Sequence, residues 1–99
     1  MPPTFTTPLP SATKLNDGDK LTVKCEPTGN PTPSLVWFRQ GRRLVESGRV
    51  HFVRENTVYK LVVNNVTLAD SGVYQCEAEN ELGSSIQHTI LDVAGIMAG

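Results

Sequence analysis

An all-β chain folded as a sandwich of short strands is predicted by three observations. Apolar and polar residues alternate with a period of two in several short runs, and turn-forming clusters recur about every 8–12 residues. No amphipathic helical stretch of useful length interrupts them. The 99 residues suffice for one compact domain and leave no room for a second.

The first clear strand carries Leu21, Val23 and Cys25 in alternation with Lys20, Thr22, Lys24 and Glu26. Asn16-Asp17-Gly18-Asp19 precedes it as a turn, because Gly and Asx residues tolerate positive φ. Gly29-Asn30-Pro31-Thr32-Pro33 follows as a loop stiffened by two prolines. Leu35 and Trp37 then point one way, Val36 and Phe38 the other, and Gln40-Gly41-Arg42 turns the chain.

Residues 50–53 read as a short strand and 59–66 as a longer one, with Leu61 and Val63 inward. Asp70-Ser71-Gly72 is a turn, and Tyr74, Cys76 and Ala78 share the face of the next strand. Asn80-Glu81-Leu82-Gly83 forms a hairpin loop. The last strand directs Thr89, Leu91 and Val93 inward and sets Ile86, His88 and Ile90 on the opposite face. The domain is therefore expected over residues 1–93, with 94–99 as a linker or tail.

Composition narrows the function. A net charge of −1 argues against a nucleic-acid binder, which would be markedly basic. No run approaches the ~18 apolar residues of a membrane span, so direct membrane insertion is not expected. Met1 is followed by Pro-Pro-Thr rather than a basic stretch and an apolar core, so no signal peptide is visible. An excised module would look the same in either compartment.

Cys25 and Cys76 lie 51 positions apart, and His51 and His88 are isolated, so no metal site or cofactor is expected. Glu77, Glu79 and Glu81 read as a polar edge, since no second cluster completes a calcium site. No nucleophile, base and orienting group converge on a recognisable pattern, so an enzyme is not expected. Both cysteines sit at inward strand positions. A bond between them would close a loop that stabilises the fold by about 4 kcal/mol. Reduced, they would pack as two small hydrophobes, and the compartment decides between these states.

The framework of Cys25, Trp37 and Tyr74-Gln75-Cys76 resembles that of an immunoglobulin domain. Asp70-Ser71-Gly72-Val73-Tyr74-Gln75-Cys76 matches the corner that precedes the second cysteine, and Gly29-Asn30-Pro31, Trp37-Phe38 and Glu79-Asn80 are similar to the I-set subclass. The resemblance implies a Greek-key β-sandwich of two packed antiparallel sheets. Trp37 would pack on the Cys25–Cys76 pair, Leu61 and Tyr74 would complete the core framework, and Arg49 would pair with Asp70.

The opening Pro2-Pro3-Thr4-Phe5-Thr6-Thr7-Pro8-Leu9 resembles modules of titin and twitchin, and Val36-Trp37-Phe38-Arg39 with Glu79-Asn80-Glu81-Leu82-Gly83 is similar to the immunoglobulin domain of myosin light chain kinase. The stretch from Tyr74 to Asn80 is also similar to ectodomains of adhesion molecules and receptors. The resemblance thus implies a non-enzymatic structural and protein-interaction module of a larger cytoskeletal or muscle protein, in a cytoplasmic or sarcomeric setting. The alternative is a ligand- or adhesion-binding domain of a cell-surface receptor. Partners would be other proteins, including neighbouring immunoglobulin or fibronectin-type domains, or a second copy forming a homodimer.

Three features are candidates for contact. Val36, Phe38, Ile86 and Ile90 form apolar points on a nominally wet sheet face, either an interface or scattered surface hydrophobes. Arg39, Arg42 and Arg43 crowd around one turn in a segment, 39–60, with an excess of +4, either a docking patch or a solvated surface. Asn65-Val66-Thr67 fits the N-glycosylation pattern, and reads equally as a strand end followed by a turn.

Overall fold

Alternation places the side chains of each strand on two faces, and across the core the inward face is largely apolar. In the computed structural model, which describes residues 1–95, ten strands result. They are β1 (Thr4–Phe5), β2 (Ala12–Asn16), β3 (Leu21–Cys25), β4 (Pro27–Thr28) and β5 (Ser34–Arg39), followed by β6 (Arg42–Arg43), β7 (Val50–Glu55), β8 (Val58–Val63), β9 (Gly72–Asn80) and β10 (Gly83–Ala94). A single 3-10 turn, Leu68–Asp70, links β8 to β9.

One layer is a five-stranded sheet in the order β2-β10-β9-β5-β6. The other is the three-stranded sheet β3-β8-β7. The pair β1-β4 extends this second layer, since β4 continues the chain of β3. The chain changes layer after β1, β2, β4, β6 and β8, so from β3 onward it visits the two layers alternately, two strands at a time. This is the predicted all-β sandwich.

Leu21, Val23, Cys25, Leu61 and Val63 from one sheet meet Trp37, Tyr74, Cys76, Ala78, Leu91 and Val93 from the other, all buried. Each such aliphatic or aromatic side chain contributes roughly 1.5–3 kcal/mol on leaving water. Thr89 is the one buried polar residue in the described core, and its hydroxyl pairs with that of Thr13 at 2.9 Å.

Four details depart from the sequence expectation. β2 lies parallel to β10 over Ala12–Asn16, a strand the turn-rich sequence around Pro10 and Ser11 obscured. β7 runs on to Glu55, beyond residue 53. β8 stops at Val63, because Asn65 takes φ +51°, outside the extended region, and Arg49 binds the carbonyls of Asn64 and Asn65. Val66 nevertheless reaches the core and is fully buried. Ala94, expected in the tail, still pairs with Asn16, while residues 96–99 lie outside the described residues.

Candidate functional site

The framework residues hold the two sheets in fixed relation. Cys25 and Cys76 are joined by a disulfide, with the sulfurs 2.19 Å apart. Trp37 pairs with Cys76 in the β5–β9 register and is buried beside the bridge. Leu61, opposite Val23, is buried completely. The Tyr74 hydroxyl donates to the carbonyl oxygen of Asp70 at 2.6 Å, which ties β9 to the turn before it.

That turn is also an electrostatic knot. Arg49 binds Asp70 through both guanidinium nitrogens, Nη1 to Oδ2 at 3.1 Å and Nη2 to Oδ1 at 3.2 Å. The Thr67 amide donates to the same carboxylate at 2.8 Å. Burial pushes the Asp70 carboxyl up, but these hydrogen bonds and the charges of Arg49 and Arg39 outweigh it and hold the group below its ordinary value.

Arg39 joins this knot. Its guanidinium donates to the carbonyls of Ala69 and Ser71 and lies 6.0 Å from the Tyr74 ring centroid. Alternation explains the placement: Arg39 shares the inward face of β5 with Trp37, whereas Phe38 faces out. Arg42 and Arg43 remain exposed on the short edge strand β6, with Arg43 beside Phe38.

The outer face of the five-stranded sheet is fixed by register. Val36, Glu77 and Ile86 form one row, and Phe38, Gln75 and His88 the next. A third row holds Val73, Ile90 and Ala12. Ile86 and Ile90 are 56% and 48% exposed, while Val36 and Phe38 are half-buried by their polar neighbours. The apolar points flank Gln75 and Glu77 of β9, and Val73 meets Ile90 in the third row. A surface of this kind suits a mixed, partly wet protein contact.

Asn65 and Thr67 are exposed at the turn, with Val66 anchored between them in the core. Among the described residues no cluster of His, Cys, Asp and Glu could hold a metal ion. The sequence did not single out Gln87, whose carboxamide accepts from the Leu9 amide at 2.9 Å and donates to the Thr7 carbonyl at 3.2 Å. This clamp fixes the crossing from β1 to β2 across the start of β10. A glutamine on an exposed-looking strand gives no sequence signal for it.

Comparison with known proteins follows the same lines. Residues 3–93 match the family model of the immunoglobulin I-set domain. Leucine-rich repeats and immunoglobulin-like domains protein 1 of Homo sapiens is 40% identical over 76 residues, 77% of this chain and 7% of that protein. Smooth muscle myosin light chain kinase of Gallus gallus is 34% identical over 80 residues, 81% of this chain and 4% of that protein. Thus the chain spans only a small part of the curated relatives it matches. A solved complex of titin M10 with an obscurin-like 1 immunoglobulin domain superposes with a TM-score of 0.90 at 29% identity, covering 98% of both chains. With its sandwich, its bridged cysteines and the tyrosine at the turn, this chain belongs to the immunoglobulin I-set family.

Proposed function

We propose that this domain is a non-enzymatic spacer and protein-docking module of a larger multidomain cytoskeletal or muscle protein. The path of the chain is the observation that carries the reading. Met1 is tied to Asn30 and Asn80, at the pole formed by the β4–β5 and β9–β10 loops. β10 then runs 12 residues, about 40 Å at the rise of an extended strand, to the opposite pole. There the Ala94 carbonyl accepts from the Asp17 amide, and Gly95 lies against Leu68. Entry and exit at opposite ends of a body 54 Å long favour head-to-tail joining to neighbouring immunoglobulin or fibronectin-type domains.

Docking would use the outer face of the five-stranded sheet, with Phe38 and Ile90 as its apolar contacts. Three copies of the chain linked head to tail test the spacer role by small-angle scattering. The maximum dimension should grow by nearly one long axis, 54 Å, per added copy. A concatemer that folds back to a compact particle contradicts the reading. For the face, Phe38→Ser with Ile90→Ser should alter partner binding or self-association with the fold retained. Unchanged sedimentation and binding would remove the face from the account.

A second reading, a domain of a cell-surface receptor or adhesion ectodomain, is favoured by two observations. The disulfide suits an oxidising compartment, and the Asn65-Val66-Thr67 acceptor pattern is exposed.

A further inference from the structure

We propose that the recess between β3 and the segment crossing from β1 to β2 is a binding site for a small aliphatic carboxylate. The chain follows β3 only as far as Thr6, whose amide donates to the Glu26 carbonyl at 3.1 Å. By Leu9 it has left for the other sheet, where the Leu9 amide donates to the Gln87 carboxamide at 2.9 Å. The crossing opens a recess of about 290 Å³ between the two layers. That is room for a small molecule and falls short of a drug-sized one.

The register shows which backbone groups this leaves bare. Glu26 turns its carbonyl to the crossing segment, and backbone direction alternates along a strand, so Lys24 and Thr22 turn theirs the same way. The β8 side agrees. There the Asn64 amide donates to the Arg49 carbonyl, so Lys60 and Val62, the partners of Lys24 and Thr22, turn toward β7. The amides of Thr22 and Lys24 therefore have no backbone partner among the described residues, and both residues line the recess.

Charge selects the ligand. Lys24 is the one charged residue in the lining, and it makes no ion pair among the described residues. Both nearby carboxylates are already engaged: Glu55 binds Lys60, and Glu26 accepts from the Thr6 and Thr57 hydroxyls. Lys60 stands directly opposite Lys24, a like-charge pairing that costs stability and that an anion at Lys24 would relieve. Pro8, Leu9 and Val23 make the rest of the lining apolar, and the Thr13 and Thr89 hydroxyls are spent on each other. A carboxylate held by the Lys24 ammonium and the two bare amides, with a short aliphatic chain against Leu9 and Val23, satisfies both halves of the recess.

This site does not rest on the docking reading above, so the two can fail separately. The test is a nuclear magnetic resonance titration of the full chain at pH 7 with sodium hexanoate, against sodium acetate and hexylammonium chloride. Hexanoate should shift the Thr22 and Lys24 amides and the Leu9 and Val23 methyls, saturating with a midpoint of roughly 1–10 mM. Acetate lacks the chain and hexylammonium carries the wrong charge, so each should bind about tenfold more weakly or less. Lys24→Glu replaces the repulsion across from Lys60 with attraction, and should reverse the preference between hexanoate and hexylammonium. If Lys24→Glu fails to fold, the contrast between the two ions on the wild-type chain decides alone. Equal shifts from hexanoate and either control, shifts centred elsewhere, no saturation below about 100 mM, or a folded Lys24→Glu that binds hexanoate as before would each overturn the proposal.

Discussion

Reducing the Cys25–Cys76 bridge is expected to cost the domain about 4 kcal/mol of stability, the loop-closure entropy of a 51-residue separation. The native side should change little. Both sulfurs are buried against Trp37 and Leu61, so two thiols can remain packed as small hydrophobes. The effect therefore falls on the unfolded chain, which gains freedom and exposes more surface once the link is cut. Guanidinium unfolding followed by Trp37 fluorescence, with and without reductant, measures it. The midpoint should fall by roughly 1–2 M and the slope should rise. Thiol titration of the unfolded protein must show two free groups only after reduction. Coincident unfolding curves, with the titration showing complete reduction, would refute the reasoning.

The remaining predictions concern the core, the turn and its charges. Leu61→Ala, at a completely buried position, should destabilise the domain by about 2–5 kcal/mol in the same unfolding assay. Gly72→Ala should be costly, by about 1–3 kcal/mol. Gly72 holds φ +142°, and an added Cβ would lie 2.8 Å from Gln40 Oε1, which accepts from the Val73 amide. Asp70 titrates lower in the folded state than in the unfolded one, so its contribution is complete above the unfolded value, about 3.9. That contribution is lost as pH falls toward the folded value, and Asp70→Asn should flatten the acid limb of a stability–pH profile while lowering stability at pH 7. Tyr74→Phe should cost about 1 kcal/mol, the net worth of its hydrogen bond to the Asp70 carbonyl.

The inward face of the sandwich was readable because burial imposes a period of two. Leu21, Val23 and Cys25, or Thr89, Leu91 and Val93, announce it without reference to their partners. β2 carried the same signal in Thr13 and Leu15, but only half-buried, beside prolines and in a parallel pairing that local sequence does not encode. Arg39 shows a second limit. A run of three arginines around a turn reads as a patch, yet alternation sends the first inward, onto the carbonyls of the Ala69–Ser71 turn. The bare amides of β3 were illegible for a deeper reason. Which backbone groups lack partners depends on where the chain crosses between the layers, and that is set by Gln87 clamping a segment 80 residues away.

The proposed setting in a structural multidomain chain is tested most directly by mass spectrometry of the intact protein from its native source. The account predicts this domain within a much larger chain and an unmodified Asn65. A glycan on Asn65 would contradict it and place the domain in an ectodomain.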